Sequence, residues 1–164
     1  MYKKSLIIIL LFTLLLSCSG KNEKETEKAR TDSFYCYVNS IYEKNSITFV
    51  QFDKIQVFTG DSAVMIAKQF GKAEFEINNS SGDTIWFVPN DYFVLNETAE
   101  TEELPLAKNC IIEITISDES TSYQVTKQNN VSVEKLKSHL EDYMIFLIEV
   151  KDGFIKSIKE FWTP

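Results

Sequence analysis

SITFVQFDKIQVF, residues 46–58, carries its apolar side chains two apart, but the phase breaks twice. Ile47 and Phe49 set one phase, Val50 and Phe52 take the other, and Ile55 and Val57 return to the first. Successive side chains of a strand point to opposite faces, so a slip of one residue swaps the buried face. A bulge or a sharp bend reconciles the two phases. Small barrels close their sheets with such bends. The stretch before it, SFYCYVNSIYE (33–43), also reads as a strand, with Lys44-Asn45 as the turn between the two.

Downstream the pattern changes. Thr59-Gly60-Asp61-Ser62 reads as a helix start, with Thr59 placed to cap free amides and Asp61 at the positive end of the dipole. Ala63, Ile66, Ala67 and Phe70 make one apolar helical face, and Gly71 ends it. AEFEI (73–77) and TIWFV (84–88) flank NNSSGD as a hairpin. Pro89 interrupts, DYFVLN (91–96) is extended, and ETAETEELP (97–105) reads as an acidic loop. CIIEITI (110–116) is a strand with Cys110, Ile112, Ile114 and Ile116 on one face. Ser132 caps a second helix, with Val131 stapled to Leu136. YMIFLIEV (143–150) and FIKSIKEFW (154–162) form a hairpin around Asp152-Gly153, a pair that accepts positive φ at both positions. That register sets Glu149 opposite Lys156 and Leu147 opposite Ile158.

The order is β-β-α-β-β-β-β-α-β-β. Hairpins imply antiparallel pairing. The expected fold is α+β and β-rich: an antiparallel curved sheet or small barrel, OB-like in one form, with two helices. The alternative is an open antiparallel sheet with both helices on one face.

Upstream, Lys3 and Lys4 precede an apolar run, Leu6 to Leu16, that stops at Ser17-Cys18. Eleven residues are too few to span a hydrocarbon core, which needs roughly 20 as a helix. They suit the core of a secretory signal peptide. Leu15-Leu16-Ser17-Cys18 resembles the lipobox of bacterial lipoproteins. The resemblance implies removal of residues 1–17 and acylation (palmitate among the chains) of the Cys18 thiol, a membrane anchor. Ser19 to Thr31 is almost wholly polar and reads as a flexible tether reaching at most ~45 Å. The expected organisation is a 1–17 leader, an 18–31 lipidated cysteine and tether, and one 32–164 globular domain. The expected place is the cell envelope, held to a membrane outside the cytoplasm, the outer membrane being favoured. The whole chain has 17 basic and 24 acidic side chains, a net charge of −7. That balance argues against nucleic acid as a partner.

Two further cysteines remain, Cys36 and Cys110. Outside the cytoplasm they form either a disulfide or two buried free thiols. A bridge needs the first and sixth strands to be neighbours.

TGDSAVMIAKQFG (59–71), NDYFVLNE (90–97), Leu104-Pro105 and the ending VKDGFIKSIKEFWTP (150–164) together resemble a group of small, uncharacterised bacterial exported proteins. The similarity covers about residues 45–164. Phe93 stands where that group has a second tyrosine, and Phe146-Leu147-Ile148 replaces a Trp-containing strand. The resemblance implies one exported domain and transfers no catalytic residue.

Signatures of chemistry are sparse. His139 is a single histidine, read as a helix-surface residue, and no HExxH, G-x-S-x-G, phosphate loop or CxxC is present. No cofactor and no metal site is assigned. The best polar constellation is Asn90, Asp91, Tyr92, Asn96 and Glu97, a possible binding rim. Trp86 and Trp162 read as core or rim. Asp61-Ser62-Ala63 and Asp83-Thr84-Ile85 resemble short sites of envelope O-glycosylation, which makes Ser62 and Thr84 candidates. The expected function is a non-enzymatic binding or accessory module, with an envelope protein as partner. The alternative is a small-ligand or cation-binding protein using the rim. A hydrolase using Asp91 and Glu97 is the least favoured reading.

Overall fold

The computed structural model describes residues 31–118 and 124–161. The leader, Cys18, the tether up to residue 30 and Trp162 lie outside the described residues. The elements are β1 (Thr31–Lys44), β2 (Ile47–Thr59), α1 (Gly60–Gln69), β3 (Glu74–Ile77), β4 (Thr84–Phe87), a 3-10 turn (Pro89–Asp91), β5 (Tyr92–Leu95), β6 (Thr101–Asp118), β7 (Gln124–Asn129), α2 (Val133–His139), β8 (Ile145–Lys151) and β9 (Phe154–Glu160).

Five strands close a barrel in the ring β1-β2-β6-β9-β8. Four contacts of the ring are antiparallel, and β6 with β9 is parallel. The helix α2 lies between the third and fourth barrel strands of the chain. Strand β5 prolongs the β2 edge beyond β6, and β7 adds to the far end of β6. The β-rich, barrel-like expectation with two helices holds.

The two phases of 46–58 are the two faces of one regularly paired strand. Val50 and Phe52 point into the barrel, while Asp53 and Ile55, opposite Tyr37 and Tyr35, are buried on the outer face. The extra residue sits on the partner strand: the register passes from Val38↔Phe52 to Ser40↔Gln51, leaving Asn39 without an opposite. A bulge raises local twist, which a five-stranded barrel needs to close. Val50, Phe52, Ile112, Ile114, Phe146, Ile148, Ile155 and Ile158 fill the interior, joined by Leu136 from α2. Phe34 and Phe52 meet with ring centroids 5.1 Å apart.

Several expected boundaries move. The β1–β2 turn is Asn45-Ser46, not Lys44-Asn45. Both turn residues have positive φ, and Lys44 pairs Ile47. Thr31 belongs to β1, opposite Lys151, rather than to the tether. The acidic loop ends early, because residues 101–105 pair with β2. Leu104 packs on the core there, while Glu102 and Glu103 find Lys54 (2.8 Å) and the Tyr42 hydroxyl. Thr59 sits at the helix start but makes no side-chain cap, since it also ends β2 opposite Tyr92. Ser132 does cap α2, its hydroxyl accepting from the Lys135 amide at 3.2 Å. Strand β7 is polar and pairs, among the described residues, with β6 alone, and its sequence carries no apolar alternation.

Between β2 and β6 the chain makes an excursion of α1, the β3–β4 hairpin and β5. Its own core is small: Ala63, Ala67 and Val88, with Phe58, Val64, Ala73 and Phe93 against them. The two-stranded sheet β3–β4 pairs with no other strand among the described residues.

Candidate functional site

The candidate rim is divided by β5. Tyr92 begins that strand opposite Thr59, and Leu95, just before Asn96, pairs Gln56. About 13 Å of extended backbone separates Tyr92 from Asn96. Asp91 and Glu97 flank that run, so they do not sit at the ~5–10 Å of a glycosidase carboxylate pair. Asn90 and Asp91 take positive φ (60° and 58°) in the turn after Pro89. Tyr92 meets Phe161 edge-on at 5.7 Å, and Phe161 meets Tyr35 likewise at 5.3 Å.

Asn96 has a structural task. Its Nδ2 donates to Asp53 Oδ2 at 2.7 Å, and the Glu100 amide donates to Asp53 Oδ1 at 3.2 Å. Asp53 is a buried carboxylate on β2. A buried charge is expensive unless hydrogen-bonded, and these two donors also fix the 96–100 loop. Glu97 lines only a shallow dent with Lys54 and Gln56. Ser62 and Thr84 are both exposed; the Ser62 hydroxyl donates to the Thr59 carbonyl at 2.7 Å.

A larger concavity lies at the barrel mouth, and one of about 460 Å³ lies between α1 and Trp86. A cleft of about 470 Å³ opens between the β1–β2 turn, the middle of β6 and the start of β9. That is within the ~300–1,000 Å³ range of small-molecule pockets. Two register shifts build it. Along β8–β9 the pairing passes from Glu149↔Ser157 to Val150↔Ile155, so Lys156 has no opposite. Along β6–β9 it passes from Leu106↔Ile155 to Ile111↔Ser157, so residues 107–110 face Lys156 alone. The sheet gapes at that seam. Bulges at barrel rims re-aim side chains, and this one turns Lys156 toward the cleft. The expected facing of Glu149 with Lys156, and of Leu147 with Ile158, is shifted by one for the same reason.

Ile47 and Phe154 give the cleft an apolar wall although each is over 40% exposed (45% and 43%). Leu106 and Ala107 form its floor, and Ser46, Asn109, Lys108 and Lys156 add polar heads. The Lys156 ammonium stands 5.7 Å from the Phe154 ring centroid. Ser46 holds φ 60° without being glycine, a conformation uncommon for such a residue.

Cys36 and Cys110 are free thiols. Strands β1 and β6 are not neighbours: β2 separates them on one side, β8 and β9 on the other. The adjacency expected for a bridge is therefore absent. Burial raises the Cys36 thiol strongly, the Asp53 carboxylate adding to the effect. Cys110, beside the cleft, is pushed up to about 11 by burial, with the Lys156 charge opposing.

His139 is more than a surface residue. Its Nε2 lies 3.0 Å from Glu160 Oε2, and the same oxygen accepts the Thr115 amide at 2.6 Å. The buried Glu160 side chain thus ties α2 to β6 and β9. Among the described residues no group of three or more His, Cys, Asp or Glu side chains is placed to hold a metal ion. No helix there is long and apolar enough to cross a membrane.

The residues 46–47, 106–109 and 154–156 lie in three separate segments, and no motif links them. The turns read at Lys44-Asn45 and Asp152-Gly153 are the sequence signals near them. Compared with models of known protein families, with curated proteins and with solved structures, the chain matches none.

Proposed function

We propose that this chain is a lipid-anchored binding module of the bacterial envelope, built on an OB-like barrel, that takes a small ligand at the barrel mouth. The observation that carries the reading is the coincidence of the cleft with two register shifts on the β6–β9 seam. Shifts there cost ladder hydrogen bonds and gain an opening flanked by two hairpin turns.

The OB assignment has topological support. Numbered in chain order, the barrel strands follow the ring 1-2-3-5-4, with a parallel 3–5 contact and a helix between 3 and 4. In OB-folds the face of strands 2 and 3, with the 1–2 and 4–5 loops, is the binding face. Here those parts are β2, β6, Asn45-Ser46 and Asp152-Gly153, the surroundings of the cleft. The Asp91–Glu97 rim supports a ligand or cation site less well, because Asn96 is engaged by Asp53.

The anchor rests on the lipobox resemblance of residues 15–18. An acylated Cys18, with its tether, holds the barrel within ~45 Å of a bilayer. No cofactor enters this reading.

Photo-crosslinking in living cells tests it. A crosslinker at Ile47 or Phe154 should capture a small molecule, and one at Asp91 or Glu97 should not. Capture from the rim alone would move the site there. Metabolic labelling with an alkyne fatty acid should mark the wild type and leave Cys18→Ala unmarked; a labelled variant would remove the anchor.

A second reading is favoured by a separate observation. Met65, Phe70, Phe75, Ile77, Ile85, Trp86 and Phe87 are all exposed in the excursion. Here the chain is an accessory subunit, and an envelope protein covers the hairpin. A crosslinker at Phe75 should then yield one stoichiometric protein adduct; none would leave the cleft reading alone.

A further inference from the structure

We infer that the cleft selects small amphipathic anions: an apolar body carrying one carboxylate or phosphate. The inference rests on the cleft reading above and names its ligand class.

Charge is the first argument. The chain has 24 acidic and 17 basic side chains. The cleft reverses that balance, since its lining holds Lys108 and Lys156 and no Asp or Glu. Among the described residues neither lysine has an ion-pair partner; the ion pairs there are Lys54–Glu102, His139–Glu160 and Lys159–Glu149. Two ammonium groups facing one concavity repel a cation. A wholly neutral ligand would cover them without offering an acceptor of matching charge, and that desolvation is costly.

Backbone is the second. The two lysines come from the two sides of one interrupted seam, residues 107–110 of β6 and the unopposed Lys156 of β9. Their backbone positions are therefore set by two barrel strands and not by a loop. An anion held between them also finds Asn109 and Ser46 among the lining residues.

Shape is the third. Ile47, Leu106 and Phe154 offer apolar surface next to those heads. Apolar walls with a few placed polar groups are the pattern of small-molecule sites. Two lysines are too few for an oligonucleotide, whose affinity comes from many phosphate contacts.

The test uses the full chain in nanodiscs of zwitterionic lipid, with empty discs as the blank. Calorimetric titrations compare 2-naphthoate and 2-naphthyl phosphate with the neutral 2-naphthamide. Both anions should bind, the amide about tenfold or more weakly, the scale of one charged hydrogen bond. The ratio between the two anions identifies the preferred head group. Lys108→Gln and Lys156→Gln should each weaken the anions about fivefold or more and leave the amide unchanged. Ile47→Ser should weaken all three. Equal binding of acid and amide, lost in Ile47→Ser, would overturn the anion preference and leave the cleft reading standing. Binding of no probe, or binding indifferent to Ile47→Ser, would overturn both. Tight binding of a single-stranded oligonucleotide with a steep salt dependence would replace the small anion with nucleic acid.

Discussion

The barrel and the excursion use similar apolar residues and treat them in opposite ways. In the barrel, Phe52, Phe146, Ile114, Ile148, Ile155 and Ile158 are essentially inaccessible to water. In the excursion only Ala63, Ala67 and Val88 are buried, while Phe75 and Ile77 keep 58% and 59% of their surface in water. Closure explains the difference. Five strands in a ring enclose one face entirely. A two-stranded ribbon encloses none, and alone it is at best marginally stable. The barrel therefore holds the fold, and the excursion, with its small core, belongs to the low-stability end of the molecule.

The largest effect should come from the barrel interior. Phe146→Ala removes a fully buried ring and should cost about 3–5 kcal/mol by the transfer and cavity terms. Urea unfolding followed by far-UV circular dichroism measures it. A loss under ~1 kcal/mol would mean the core is not closed as described. Next is the tie between α2 and the barrel. Glu160→Ala leaves the Thr115 amide without its acceptor and His139 without its partner. A buried donor left unsatisfied costs about 1–3 kcal/mol. The double variant with His139→Ala should cost little more than Glu160→Ala alone, because both remove one interaction. Full additivity would show that the pair is not coupled.

The barrel interior also carries a pH-sensitive group. Burial raises the Cys36 thiol above its ordinary value of 9.0. For a raised pKa, stability is fully present below the unfolded value and is lost as pH rises toward the folded one. Between about pH 9 and 10 the barrel should lose up to ~1.4 kcal/mol per pH unit, the linkage limit for one proton. Cys36→Ala lowers stability throughout but should flatten that slope. An unchanged slope would assign it to other groups. Cys110, raised less and part-exposed, should be alkylated slowly at pH 8 and faster than Cys36.

Much of the barrel was legible because strands reveal themselves by alternation. Asp152-Gly153 foretold a hairpin, and the slip within 46–58 foretold a bulge that lies instead on the partner strand β1. What stayed hidden was what alternation does not encode. Asn39, not a residue of 46–58, is the bulged residue, and the apparent slip in 46–58 is a strand that buries apolar side chains on both faces. The acidic 97–105 stretch hid a strand start, because its glutamates have partners, Lys54 and Tyr42, from distant sequence. The polar rim looked chemical in sequence because Asn90 to Glu97 is dense in functional groups. Its best amide, Asn96, is spent on Asp53, forty-three positions earlier. The cleft was invisible for the converse reason: it is made by a gap in pairing, and a gap leaves no residue pattern.

The smallest expected effect tests the other half of the comparison. Register sets Phe75 opposite Trp86 and Ile77 opposite Thr84, so these residues share one face of the hairpin. The Phe75 and Trp86 rings meet at 5.1 Å and the Lys68 ammonium stands 4.5 Å from the Trp86 ring centroid, so Phe75→Thr with Ile77→Thr keeps strand propensity and deletes one cross-strand aromatic pair and mostly exposed apolar area. Stability should fall by no more than ~1 kcal/mol, the scale of one cross-strand pair, with Trp86 emission as a local probe. A loss approaching that of Phe146→Ala would mean that another part of this chain covers the hairpin. A loss within that limit in the isolated chain, together with lost capture at Phe75 in cells, would place the cover on a partner instead. The excursion's exposed side chains would then be kept for contact and not for folding.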